Sequence, residues 1–161
     1  MNKRTRPVVS VLTLAALFLT ISAGAAWAGA SLTLAPDKTV LSPALIKQPI
    51  VVTGAGWQPG EVVVINLIPP KGVIIQGADA GEPVGIANGV ADDQGNLKTT
   101  VEALTVLMTF FQVGWDDAKA KPDFSQAKPL PPGSYPIEAV GTLSDLKAGA
   151  TLTLEPPPQK K

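Results

Sequence analysis

The run Val52-Thr53-Gly54-Ala55-Gly56-Trp57-Gln58-Pro59-Gly60-Glu61-Val62-Val63-Val64 decides how the rest of the chain is read. It is two β-branched stretches joined by a glycine-rich corner. In the first, Ile50 and Val52 alternate with Val51 and Thr53, the period of a strand. Pro59-Gly60 suits the two central positions of a type II turn, since proline presets φ and glycine accepts a positive φ. From Glu61 to Ile68 the chain is nearly all apolar, which predicts a central strand buried on both faces. Pro69-Pro70 ends it, because proline cannot donate to a ladder.

Similar punctuation extends in both directions. Ser31 to Ala35 alternates, with Leu32 and Leu34 on one face. Gly72 to Gln76 suggests a short strand and Gly85 to Ala91 a longer one. Asp92-Asp93-Gln94-Gly95-Asn96 is a turn leading into the alternating stretch Leu97 to Val101. Pro131-Pro132-Gly133 is another turn. Tyr135, Ile137 and Ala139 then share one face of a strand, and Ala150, Leu152 and Leu154 share a face of the last. The 15 glycines and 16 prolines of the 161 residues mostly separate such runs. The pattern predicts an all-β domain of about seven strands.

Three of these segments carry a resemblance. Val52 to Val64 looks like the B–C strand pair of bacterial secreted Ig-like domains. Ala91 to Leu97 looks like the turn into their strand E. Leu130-Pro131-Pro132-Gly133-Ser134-Tyr135-Pro136-Ile137-Glu138-Ala139-Val140-Gly141 resembles their E–F corner and strand F, with Tyr135 where a tyrosine corner would place it. The resemblance implies an Ig-like antiparallel β-sandwich over residues 29–155, with an insertion at 102–128 and a disordered tail at 156–161. The pattern is also distantly similar to the neocarzinostatin type of sandwich, which holds an apolar chromophore in a cleft. That type carries disulfides, and this chain has no cysteine.

The first 28 residues read as a secretory signal peptide. Lys3, Arg4 and Arg6 precede an apolar run from Val8 to Ile21, and Ala26-Trp27-Ala28 predicts cleavage after Ala28. Kept in place, Val8 to Ala28 is just long enough to anchor the chain in a membrane; the small residues Ala23-Gly24-Ala25-Ala26 point to cleavage instead. The expected location is secreted or periplasmic, with no stable membrane anchor after cleavage. Removing three of the 13 basic residues leaves 10 lysines and no arginine against 13 acidic residues, a net charge of −3. Without a basic patch, no nucleic-acid partner is expected.

Histidine and cysteine are absent. This removes the commonest general base and both side chains from which zinc and copper sites are usually built. No catalytic residue, cofactor or metal is expected. Ser144-Asp145-Leu146-Lys147 has the Ser-x-x-Lys spacing of a lysine-assisted nucleophile but no companion motif. Asp92, Asp93, Gln94 and Asn96 gather oxygens without the bidentate carboxylate of a calcium loop. Asp116-Asp117 has no second carboxylate set against it. Trp57, Trp115 and Tyr135 are a weak candidate for a sugar-stacking platform, with packing roles for Trp57 and Tyr135 favoured.

The insertion is the stretch that stands out. From Val101 to Val113 the polar residues are Glu102, Thr105, Thr109 and Gln112, one narrow stripe on an α-helix, with Thr100 placed to cap it and Gly114 to end it. Leu104, Leu107, Met108 and Phe111 would line the other side. A strand remains the alternative, since Thr, Val and Phe favour sheets. Asp116 to Lys128 reads as a solvated loop. A helix so apolar must pack on the sandwich, cover a cleft or meet a partner. The expected function is a non-enzymatic binding or structural module of the bacterial envelope or extracellular space, with an unknown protein or envelope component as partner. The alternative is a carrier of a small apolar ligand. In either case the surface expected to act is Leu104, Leu107, Met108, Phe111 and Trp115.

Overall fold

The structure, a computed structural model, describes residues 29–158. The signal-peptide reading, and residues 159–161 of the tail, lie outside the described residues. The described chain is all-β, and its strands are β1 (Ser31–Ala35), β2 (Lys38–Val40), β3 (Val51–Ala55), β4 (Val62–Leu67), β5 (Val84–Val90), β6 (Leu97–Thr100), β7 (Gly114–Asp116), β8 (Lys121–Asp123), β9 (Gly133–Gly141) and β10 (Lys147–Glu155). Ten strands stand where about seven were expected; β2, β7 and β8 are three-residue pieces too short to alternate visibly. No described helix is long and apolar enough to cross a membrane.

The strands form a three-stranded sheet, β1-β3-β6, a five-stranded sheet, β2-β10-β9-β4-β5, and the ribbon β7-β8. Alternation places Leu32, Leu34, Val52 and Leu97 of the smaller sheet in one apolar core with Val63, Ile65, Leu67, Ile137 and Leu152 of the larger. Pro36 and Asp37 carry the chain between the sheets. Before them β1 pairs antiparallel with β3; after them β2 pairs parallel with β10. The short helix α1 (Ala44–Lys47) follows and buries Leu45.

The turn chemistry follows the sequence. Gly60 sits at φ +78°, and Glu61 N–H donates to Gln58 O at 3.1 Å. Two local expectations fail. β4 is buried on one face: Val63, Ile65 and Leu67 are inside while Val62 is 41% exposed. An unbroken apolar run cannot reveal which faces are covered, and among the described residues no further sheet lies outside this one to cover the second. Gly72 to Gln76 forms turns rather than a strand, with Ile75 buried in the core and Val73 packed against it, because Gly72 and Gly77 both adopt positive φ.

Tyr135 is fully buried, and its hydroxyl donates to Pro131 O at 2.6 Å. Burial pushes its phenol above the ordinary value. The bond fixes the approach of the Pro131-Pro132 segment to β9. Tyr135→Phe removes one buried hydrogen bond and leaves the Pro131 carbonyl without its donor, so a loss of about 1–2 kcal/mol is expected in urea unfolding. An unchanged midpoint would mean that this corner contributes nothing to stability.

Candidate functional site

The insertion leaves β6 at Thr100 and returns to β9 at Gly133. Its first part is helical, as the polar stripe predicted, but the winding differs. One turn of α-helix, α2 (Ala103–Thr105), runs directly into a π-helical turn at Val106–Phe110. There Phe111 N–H donates to Val106 O at 3.0 Å, an i→i+5 bond. The N-cap is Glu102 rather than Thr100, without a side-chain bond.

The wider turn shifts which side chains face inward. Val106 and Phe110 are fully buried, and Thr109 and Gln112, read as part of the narrow polar stripe, are buried with them. Leu104, assigned to the apolar side, is 58% exposed, and Leu107, Met108 and Phe111 are half-buried. A stripe drawn at 3.6 residues per turn does not survive a segment that winds at a different pitch.

Gln112 explains why its burial is tolerated. It adopts φ +46°, and its Oε1 accepts from Gln76 N–H at 2.7 Å while its Nε2 donates to Lys128 O at 2.8 Å. One carboxamide thus ties the turns after β4 to the end of the insertion. Phe110 O accepts from Leu130 N–H at 2.8 Å, fastening the helix to the segment that enters β9.

Beyond the helix, the stretch expected to be a solvated loop forms the ribbon β7-β8. Trp115 stands opposite Pro122 in register, and Phe124 follows two residues on. Trp115 is 49% exposed and Phe124 is 63% exposed. Asp116 is held by Lys119 at 2.9 Å. Trp57 and Tyr135, by contrast, are core residues, so the three aromatics considered together for sugar stacking are not on one surface.

The most organised polar cluster was not foreseen. Glu61 is fully buried, and its carboxylate reaches the turn between β9 and β10. Its Oε1 accepts from Gln58 N–H at 2.6 Å; its Oε2 accepts from the N–H groups of Leu143 at 3.2 Å and Ser144 at 3.1 Å. Ser144 Oγ lies 2.9 Å from both oxygens. Burial alone would raise the carboxyl's pKa, but the hydrogen bonds from Gln58, Ser144 and Leu143 outweigh it and hold it below the ordinary 4.5. Gly141 makes room: a Cβ there would lie 2.5 Å from Glu61 Oε2 and 2.7 Å from Ser144 Oγ. The sequence places Glu61 at the start of the run from Glu61 to Ile68 expected to be buried but assigns its carboxylate no partner. Its position at the head of the apolar run was the available signal.

This geometry also separates Ser144 from Lys147. The serine hydroxyl is engaged by Glu61, whereas Lys147 Nζ pairs with Glu138 at 3.0 Å. In the Asp92–Asn96 turn the carboxylate oxygens are turned onto the turn itself. Asp92 Oδ1 accepts from Gln94 and Asn96 N–H at 2.9 and 2.8 Å. The Asn96 backbone bond, followed by the Asn96 side chain, lowers the Asp92 pKa.

Several concavities mark the described surface, among them the following three. One of about 480 Å³ lies along β9 and β10 beside Glu138 and Lys147. One of about 650 Å³ lies between β5 and β6. One of about 290 Å³, mostly apolar, is bounded by Leu41, Leu130, Leu154 and the neighbouring prolines. Leu104, Leu107, Met108, Phe111 and Trp115 line none of these three.

No family model matches the chain, and no curated protein matches it. Among solved structures it is similar to part of DesR, a β-glucosidase from Streptomyces venezuelae, at 18% identity and TM-score 0.40, covering 78% of this chain and 14% of that one. It is similar to part of a Bifidobacterium adolescentis GH3 β-glucosidase at 13% identity and TM-score 0.35, covering 82% and 18%. The chain thus spans less than a fifth of the length of those enzymes.

Proposed function

We propose that this protein is a secreted, non-enzymatic Ig-like β-sandwich module that acts by surface recognition in the bacterial envelope or extracellular space. The observation that carries the reading is the ribbon. Trp115 on the ribbon is 49% exposed, and Phe124, in the 3-10 turn directly after it, is 63% exposed. Exposed aromatics on a scaffold are typical anchors of recognition surfaces. The shared core of the two sheets, the passage of β1 into β2 across them and the Tyr135 corner support the sandwich. A sequence without histidine or cysteine supports a non-enzymatic role. The carrier reading has less support, because Val106 and Phe110 fill the space beneath the insertion.

The test begins with export. Expressed in a bacterial host, the full chain should appear outside the cytoplasm with Gly29 as its first residue by intact-mass measurement. The purified protein should then co-sediment with envelope fragments. Trp115→Ala with Phe124→Ala should cut that retention several-fold while changing unfolding stability by no more than about 1 kcal/mol in all, as expected of exposed sites. Retention unchanged in the double variant, or a turnover abolished by one substitution, would reject the reading.

A further inference from the structure

We propose that the cleft between β5 and β6 takes up an extended peptide of a partner protein as an added strand, with a basic side chain of that peptide meeting Glu102. The inference goes beyond the role given to the ribbon and does not depend on it.

β5 is the outermost strand of the larger sheet, and β6 is the outermost strand of the smaller one. Among the described residues each has one edge without a ladder partner. Open edges are ordinarily blocked by charges, prolines or a covering element. β5 reads Val84-Gly85-Ile86-Ala87-Asn88-Gly89-Val90, with no charge and no proline.

The two edges meet at one end. Thr99 Oγ1 donates to Asn88 O at 2.6 Å. Gly89 permits this approach: a Cβ there would lie 2.7 Å from Leu97 Cδ1 and 3.1 Å from Thr99 Cβ. Away from that contact the edges stand apart around the cavity of about 650 Å³. Its lining combines the apolar Val62 and Val64 with Thr99, Thr100 and Thr105.

The backbone supplies the binding chemistry. Ala91 N–H donates to Glu61 O at 2.9 Å, so ladder alternation turns Ala87 and Gly89 toward β4 and Asn88 away from it. The bond from Thr99 to Asn88 O agrees with that direction. The ladder slips between Ile65 and Asn66, leaving Ile86 without a partner on β4. A bulge of this kind bends an edge strand and re-aims its groups. Gly85, which also lines the cavity, allows another backbone to come close.

The open edge runs from Gly85 to the N–H of Asn88, the Asn88 carbonyl being taken by Thr99, and suits a segment of about four residues, or roughly 13 Å of strand. Among the lining residues Glu102 carries the only charge, and it is exposed. The complementary occupant is therefore an extended segment with one lysine or arginine and otherwise small or β-branched side chains.

The probes are capped hexapeptides of alternating threonine and valine, with one position replaced in turn by lysine, by glutamate or by proline. They are titrated into the purified exported protein while backbone amides are followed by NMR and hydrogen exchange. The lysine peptides should bind at about millimolar affinity or better, with shifts and added protection centred on residues 85–88 and 99–105. Glu102→Lys should weaken the lysine peptides about tenfold and favour the glutamate ones. Proline peptides should lose binding in both proteins. Absence of binding, shifts centred elsewhere, or indifference to Glu102→Lys would overturn the proposal. So would protection of β5 that rises with protein concentration without peptide, since the occupant would then be a second copy of this chain.

Discussion

Phe110→Ala is expected to destabilise the protein by about 3–5 kcal/mol, the range for truncating a fully buried aromatic. Phe110 has no exposed surface and belongs to the same core as Leu34, Val52 and Ile137. Its backbone is held on two sides, because its own carbonyl is bonded to Leu130 and it lies in the π turn. Neighbouring residues cannot easily collapse into the space it leaves. Leu104→Ala, six residues earlier and 58% exposed, should cost no more than about 0.5 kcal/mol. Urea midpoints of the two variants, at constant m-value, make the comparison. A lid resting loosely on a cleft would give similar small losses for both. A plug completing the core gives the large difference expected here.

Glu61→Ala is expected to cost about 3–4 kcal/mol. It strips the acceptor from part-buried hydrogen bonds donated by Gln58, Leu143 and Ser144, and hydrogen bonds to a charged group are worth about 1.5–3 kcal/mol each before relaxation. Glu61→Gln keeps the shape but replaces one acceptor oxygen with a donor facing other donors, for about 2 kcal/mol. The pH dependence has a definite sign. The folded carboxyl titrates below its ordinary 4.5, so its contribution is present above that value and is lost as pH falls through the folded pKa. The stability difference between the wild type and Glu61→Gln should therefore be constant near neutrality and shrink on acidification below about 4.5. Asp92 and Asp123 also have lowered pKa values and act on both proteins alike, so the difference isolates Glu61. A difference independent of pH would mean that the charge at Glu61 does not hold the turn.

What the sequence disclosed depended on whether a signal was local. Ser31–Ala35 reads as a strand with Leu32 and Leu34 inside, and it is one with those bounds. Pro59-Gly60 specifies its own turn. Tyr135, Ile137 and Ala139 share the buried face that alternation assigned them. The features that escaped are set by contacts distant in sequence. The covered face of β4 depends on which layer lies opposite. The burial of Glu61 depends on donors more than 80 residues away at Leu143 and Ser144. The inward turn of Thr109 and Gln112 depends on a helical pitch that propensity does not encode. The β7-β8 ribbon formed where charge suggested solvent, because strands of three residues leave no periodicity to read.

The parallel pairing of β2 with β10 has a consequence in time. It joins Lys38–Val40 to Thr153–Glu155, near the two ends of the described chain. The five-stranded sheet therefore cannot acquire its outer strand until β10 has been synthesised. Closing so long a loop is entropically costly and comes late in folding. The β9–β10 hairpin, whose strands are neighbours in sequence, can form first and present the surface that β2 later joins. A chain made only as far as β9 thus stays open along this edge, and the step that completes the sheet waits for β10.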